Sequence, residues 1–597
     1  MRYASTTAAA ARRMPSIRLF EHRMPVLRDL LGAFQGVSVP LAFVLFATAR
    51  LGSDLNLALV ATVLLFVANI VFGCMRLRER ILFLFLHAGI ALFLLTRPVI
   101  GALDENRSWF LGSVDSTWFA LSSIFLSLTF LFFGAALYTA VCNFNLRRAA
   151  QRDAMRAGIP VAAVASDASD AGVRPAHAAR DLMFKLQHSE RVRYIRTASL
   201  ILFLIGFAAS MYEGVIKLSY MSGLAYEEYY LIDSSQHIPW IIGVLSPIML
   251  YALCSYLACM PRRRPAVICL ALYVLTTVPM LIIGSRSEFV IMFLFAALYF
   301  ILRAVTDTQE RWITKRLIAV VCIAAPLGIF AMGVMNYTRS GNTAYGFGFL
   351  GLLADALFKQ GVSFTVLGHG YDVDPQIQEL GFRFFSVGGI ISTFTQGFIG
   401  QTFFGCQDLG STNSALLALN GNSYAHAMSF FAHPNYLGGE GYGSSYILEL
   451  YADFGTAGIA VGSLIIGAVF SFLSTMIGRR WFGGMVALTA ATSVFHMPRG
   501  YFIEWIDFVI STRFLLAIVL IIGISAVLSY VSRAGLIPQK APVFISHAAN
   551  VPLSVAPSAE VSVVSRKRSE QAAAPISDNR HGIPVNRISV MNQVRFD

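Results

Sequence analysis

Charge is scarce in this chain. Only 13% of its 597 residues are Asp, Glu, Lys or Arg, whereas 56% are hydrophobic. Soluble globular proteins carry about a quarter charged residues, so a water-exposed globule is excluded and most of the surface must face lipid or other helices. Cysteine is also sparse, seven in all. Cys74, Cys142, Cys254, Cys259, Cys269 and Cys322 lie in or beside apolar runs, and Cys406 lies in a polar stretch. That spacing offers no disulfide framework and no metal-ligand set; such residues act as small packing groups. No Walker loop, kinase signature, zinc motif or dinucleotide fingerprint occurs, so neither cytosolic nucleotide chemistry nor a cofactor is expected. The first ~28 residues hold Arg2, Arg12, Arg13, Arg18, Arg23 and Arg28 without the compact apolar region and small-residue cleavage site of a secretory leader.

What is present is a succession of apolar runs of roughly 16–25 residues, each long enough to span a bilayer. They fall near 29–49, 55–74, 81–96, 117–143, 197–216, 238–259, 266–284, 289–304, 317–335, 457–477, 482–497 and 511–532. The expected fold is therefore all-α, a polytopic integral membrane protein with about twelve transmembrane helices. The formal charge of +13 is a topology signal and not a nucleic-acid footprint. With the N-terminus inside, the inner loops hold Arg76, Arg78 and Arg80, then the stretch from Arg147 to Arg196, then Arg262, Arg263 and Arg264, then Arg311, Lys315 and Arg316, and finally Arg479 and Arg480. The outer loops carry Asp104, Glu105, Asp115, Glu227, Glu228 and Asp233. This is the positive-inside pattern, and it returns the C-terminus to the inner side.

The chain then divides into a basic cytoplasmic tail (1–28), four spans (29–143), a basic cytoplasmic insert (144–196), five spans (197–335), a large outer loop (336–456), three spans (457–532) and a tail (533–597). That tail is rich in Ser, Ala, Pro and Val and has too few large apolar residues to form a core, which predicts disorder. The outer loop of ~120 residues is too long to lack structure. Its apolar runs Phe347 to Leu357 and Phe384 to Phe394 predict short helices that re-enter or lie on the outer face.

Four clusters converge on that face. Gly284 to Glu288 (GSRSE) is a five-residue hairpin that holds Arg286 and Glu288 at the interface. Asn336 to Gly341 (NYTRSG) puts Arg339 within about a turn of the membrane. Pro498 to Asp507 (PRGYFIEWID) breaks a span and frees the backbone around Arg499; broken helices at membrane depth are tolerated where they line a cavity or pack on protein. His433 to Gly458 (HPNYLGGEGYGSSYILELYADFGTAG) is the densest cluster. Its glycines allow successive amides to form an anion nest, Ser444 and Ser445 open a helix whose N-terminus favours phosphate, and His433 and Glu440 are candidate proton acceptors. Each arginine singly could be a snorkelling anchor, and the glycine-rich segment an ordinary turn before a helix. Three arginines on one face beside the one large polar loop suit a polyanion, and lipid-linked pyrophosphate is the polyanion most available there. Gly458 and Gly462 form a GxxxG that favours close helix packing.

These motifs resemble the O-antigen polysaccharide polymerase family, the Wzy-type repeat-unit polymerases. The matching residues are GSRSEF at Gly284 to Phe289, KQGVS at Lys359 to Ser363, the stretch His433 to Gly458, and PRG at Pro498 to Gly500, and the likeness covers roughly residues 200–530. The resemblance implies a bundle of the lipid-donor glycosyltransferase type in the bacterial inner membrane. Such an enzyme joins oligosaccharide repeat units carried on undecaprenyl pyrophosphate at the periplasmic face and needs no nucleotide sugar. It implies pathway partners as well, a flippase and a chain-length regulator. The leaving group gathers negative charge, and arginine stays charged and binds phosphate bidentately. Arg286, Arg339 and Arg499 are therefore expected on the pyrophosphate, with Ser444 and Ser445. Glu440 and His433, then Glu288, are the candidate bases, and Tyr436, Tyr442 and Tyr501 the candidate sugar-stacking rings. An O-antigen ligase, using the same donor to load lipid A core, and a polysaccharide transporter or flippase are the alternatives.

Overall fold

A computed structural model describes residues 25–156, 189–221, 238–283, 287–307, 310–319, 321–323, 327–328, 348–410 and 412–534. These residues belong to one compact unit, Met1–Pro538. Among them the regular structure is entirely helical, and eleven helices are long and apolar enough to cross a membrane. In chain order the long helices of the first half are α1 (Pro25–Gly52), α2 (Leu55–Met75), α3 (Ile81–Leu103), α4 (Val114–Arg156), α5 (Glu190–Met221), α6 (Trp240–Ala258), α7 (Arg263–Ile283) and α8 (Ser287–Thr306). Short helices follow: α9 (Phe349–Gln360), α10 (Ser363–Asp372), α11 (Asp374–Glu379), α12 (Gly388–Thr395), α13 (Phe398–Phe403), α14 (Ala415–Asn420) and α15 (Tyr424–Ala432). The chain closes with α16 (Tyr446–Met476), α17 (Trp481–Val494) and α18 (Thr512–Arg533).

Eleven such helices among the described residues agree with the expected count of about twelve, and three stretches differ locally from the expected runs. The run expected at 482–497 forms a helix of only 14 residues, because the chain leaves helical geometry before Pro498. The segment Phe349–Asp372, assigned to the outer loop by sequence, is apolar enough to count as a span, although it breaks between α9 and α10 at Gly361 and Val362. The ninth expected span, 317–335, lies largely outside the described residues, as do most of the insert 144–196 and the tail. Of the insert, residues 144–156 continue α4 without interruption to Arg156, and the stretch from Glu190 opens α5.

The helix α4 is central. It packs on α2, α10 and α16, while α5 packs on α6 and α18, and α6 also on α17. Lipid removes the hydrophobic drive between helices, so contact rests on small residues and hydrogen bonds. Gly134 of α4 and Gly467 of α16 show the first device: a β-carbon on either would lie 2.0 Å and 2.2 Å from a backbone carbonyl of the opposite helix. The Ser127 hydroxyl shows the second, bonded to Tyr446 at 2.6 Å and Ser463 at 2.8 Å. The GxxxG read from the sequence works differently. Gly458 and Gly462 face Leu450, eight and twelve positions upstream in the same element. Gly455, at φ 63° and ψ −154°, breaks α16 and lets Leu450 fold back over them.

The two ends of the bundle differ in charge. At one end Leu82 N–H donates to Ser474 Oγ at 3.2 Å, Arg303 reaches the Pro261 carbonyl at 3.0 Å, and Gly478 lies against Met260. These contacts gather the loops that hold Arg76, Arg78, Arg80, Arg262, Arg263, Arg479 and Arg480. At the other end lie the 104–113 loop, the α10 C-terminus, the 433–445 loop and the 495–507 segment. There Ser116 bonds Asp372 and the Tyr446 N–H donates to the Met497 carbonyl at 3.3 Å.

Candidate functional site

The 433–445 loop is built around paired rings. Tyr442 stacks on His369 of α10 at 4.6 Å and 21°, and meets His433 edge-on, also at 4.6 Å. Its N–H donates to Ser429 Oγ of α15 at 3.0 Å, which fixes the slab on the helix beneath. Hydrogen-bond accounting sets the His433 tautomer. The Asn435 backbone N–H donates to Nδ1 at 3.2 Å, so Nδ1 is the acceptor, and Nε2, which carries the proton, faces Glu440 Oε2 at 3.4 Å. Asn435 Nδ2 donates to Glu440 Oε1 at 3.0 Å. Asn413 ties the loop from below, donating to the carbonyls of Tyr436 at 2.9 Å and Glu440 at 3.0 Å.

The PRG turn abuts this loop. Gly443 lies against the Arg499 carbonyl, and the Arg499 guanidinium stands 6.0 Å from the Phe93 ring. His496 packs edge-on to Phe93 at 6.1 Å and pairs with Glu504, Nδ1 to Oε1 at 3.3 Å. Phe93 belongs to a π-helical turn, Ala91–Leu95, inside α3. One turn on from it stands Arg97, whose guanidinium covers the Phe358 ring at 4.5 Å. The helix α10, which carries His369, packs against the same π turn. Arg97, Arg499, His369, His433, Tyr442, Glu440, His496 and Glu504 thus form one neighbourhood at the end of the bundle opposite the basic loops.

A buried clip holds the two motifs in register. Glu449 is 3% exposed; it accepts the Ser444 hydroxyl at 3.0 Å and the Phe502 N–H at 2.8 Å. Asp453, one turn on, accepts the N–H groups of Phe385 and Ser386 at 2.9 and 2.7 Å.

The remaining residues expected at the site are placed as follows. Ser445 is fully buried and caps α16, its hydroxyl accepting the Ile447 N–H, and Ser444 is committed to Glu449. Both hydroxyls are spent on the protein's own chain. Tyr436 is 3% exposed, its phenol bonded to His426 Nδ1 at 2.9 Å, so its ring is core and not a platform. Burial lowers the His426 pKa, and so keeps that imidazole neutral. Tyr501 donates to Asp507 at 2.5 Å; burial, and then the adjacent carboxylate, push its phenol pKa up, and burial raises that of Asp507. Glu288, in the first turn of α8, has the Lys217–Glu213 pair of α5 as its electrostatic neighbours. Arg286 and Arg339 lie outside the described residues.

Comparison with known proteins decides the family. The model for the O-antigen polysaccharide polymerase Wzy matches residues 36–530. The chain belongs to that family. No curated protein and no solved structure matches it. A Wzy-family chain with these helices is a multi-pass membrane protein of polysaccharide biosynthesis, with the polymerase activity of its family. The KQGVS motif, noted in the sequence only as a likeness, now has a structural reason. A β-carbon on Gly361 would lie 2.5 Å from the Arg97 backbone nitrogen and 2.6 Å from its Cβ, so glycine there lets the α9–α10 junction seat on the Arg97 turn.

Sequence reasoning missed Arg97, His369, His496 and Glu504. The Arg97-Pro98 pair closes an apolar run and reads as a span boundary. The other signal available was that His369 and His496 each interrupt an otherwise apolar or small-residue stretch.

Proposed function

We propose that this chain polymerises undecaprenyl-pyrophosphate-linked oligosaccharide repeat units at the periplasmic face of the bacterial inner membrane, with both termini in the cytoplasm. The observation that carries the reading is the meeting of Arg499 with the His433–Glu440–Tyr442 loop at the bundle end opposite the basic loops. The positive-inside rule makes that end the outer one. A departing diphosphate gathers charge on its oxygens, and fixed cations aimed at developing charge commonly supply the largest share of rate. Arg499 serves this role, with Arg286 and Arg339 as its partners in the proposal. Glu440 is the base: Asn435 and His433 orient its carboxylate, and general-base catalysis contributes about 10²–10⁴-fold. His433, with Nδ1 occupied by a backbone amide, orients rather than abstracts. Tyr442 offers an aromatic face toward sugar. The flippase that delivers the donor and a chain-length regulator are the expected partners in the membrane.

The test is polymer formation in a strain that lacks the chromosomal copy. Arg499→Ala and Arg286→Ala are expected to leave membranes with single capped units and no ladder, at wild-type protein levels. Arg499→Lys restores little, because the bidentate fork is lost. A normal ladder from Arg499→Ala removes the assigned role. Accumulation of full-length glycan on the lipid carrier would instead identify a ligase.

A further inference from the structure

We propose that Arg97 is a diphosphate-binding residue of the same site, presented by the π-helical turn of α3 and held in place by Gly361 and Phe358. The inference rests on the reading above of a lipid-diphosphate donor.

The contrast between two arginines on one ring carries it. Phe358 lies beside both Arg97, at 4.5 Å, and Arg107, at 5.5 Å. Arg107 is neutralised twice, by Asp104 at 2.9 Å and Asp355 at 3.2 Å. Asp355 also takes Lys359 at 2.9 Å. Arg97 has no carboxylate within salt-bridge distance among the described residues, although it is half-buried in an apolar span. A cation so placed is costly unless something anionic visits it, and charged residues inside spans mark substrate paths. Its surroundings fit an anion with a sugar attached. Phe93, one turn back on the same helix, lies 6.0 Å from the Arg499 guanidinium, so Arg97 follows directly on the turn that Arg499 meets. The slab of His369, Tyr442 and His433 is anchored by α10, which packs against the π turn that precedes Arg97. Two guanidinium groups served by successive turns of one helix suit a diphosphate better than a monophosphate, since each phosphoryl group meets its own guanidinium.

Local geometry holds the residue there. A π turn shifts the residues after it around the helix axis, and such turns recur at functional sites. Gly361 lets the α9–α10 junction close directly on the Arg97 backbone, and Phe358 stacks on the guanidinium from the same side.

The experiment measures binding of undecaprenyl diphosphate and undecaprenyl monophosphate to the purified full-length protein in nanodiscs. The wild type, Arg97→Ala, Arg97→Lys, Gly361→Ala and Arg499→Ala are compared. Arg97→Ala is expected to weaken diphosphate binding ten-fold or more while changing monophosphate binding less than three-fold. Arg97→Lys should fall between it and the wild type, and Gly361→Ala should mimic Arg97→Ala with the arginine intact. Wild-type diphosphate affinity in Arg97→Ala, with loss in Arg499→Ala, overturns the assignment of Arg97 and leaves the proposed function standing. Unchanged affinity in both variants overturns the diphosphate reading itself. Should Arg97→Ala fail to give monodisperse protein, Arg97→Lys and Gly361→Ala decide: wild-type affinity in both overturns the proposal.

Discussion

Glu449 is the residue on which the site's internal order most depends. It is an acid sealed from solvent, with one oxygen on Ser444 and the other on the Phe502 backbone. It therefore joins the glycine-rich loop to the PRG segment. Truncation to Ala orphans a buried N–H and a hydroxyl, a loss of about 1–3 kcal/mol. Glutamine keeps an acceptor for Phe502 and should lose less. Thermal unfolding in detergent is expected to rank wild type above Glu449→Gln and Glu449→Gln above Glu449→Ala; equal midpoints for the two variants would show that the clip is not what holds the segments. At this scale the sequence was partly legible. Arg499, His433, Glu440 and Tyr442 were visible because polar residues in a glycine-rich, otherwise apolar chain stand out. Tyr436, Ser444 and Ser445 looked the same on paper, yet their polar atoms turn inward to His426, Glu449 and the α16 cap. Residue type does not reveal which way a hydroxyl is spent.

Among the elements, α16 is the most informative. The sequence reading opens one helix at Ser444 and Ser445 and a separate span at 457, whereas one element runs from Tyr446 to Met476 and bends at Gly455. The split was sound in substance, since the bend lies between the two pieces. The backbone at Gly455 lies in a region essentially closed to residues with a β-carbon. Gly455→Ala is expected to cost about 1–3 kcal/mol and to lower the yield of folded protein in membranes, whereas Gly523→Ala, in the open face of α18, should be silent. Fluorescence size-exclusion of tagged variants reads the difference, and indistinguishable profiles would dismiss the strain. The GxxxG pattern misled about its partner for a related reason. Spacing identifies a groove, but the bend decides that Leu450 of the same chain fills it.

For the whole molecule, membrane class was legible because hydropathy acts over tens of residues. Where individual helices break was less so. The break between α9 and α10 inside one span-length apolar segment, and the shortness of α17, are local features that an average over a window smooths away. The polarity of the bundle gives a direct check. With the native cysteines replaced, Asp408→Cys on the site-side loop and Arg480→Cys on the basic side are both exposed. A membrane-impermeant maleimide applied to spheroplasts is expected to label the first at once and the second only after permeabilisation. Labelling of both from outside, or the reverse order, would put the arginine cluster in the wrong compartment.

The π turn of α3 makes the site sensitive to length as well as to composition. Every residue of an α-helix advances about 100° around the axis, so adding or removing one apolar residue upstream of Arg97 swings its side chain by more than a quarter circle and leaves the hydropathy profile almost unchanged. Divergence within Ala91–Leu95 is therefore tolerable in kind but not in number: any leucine there can become another apolar residue, while a single-codon gap would disarm the enzyme silently.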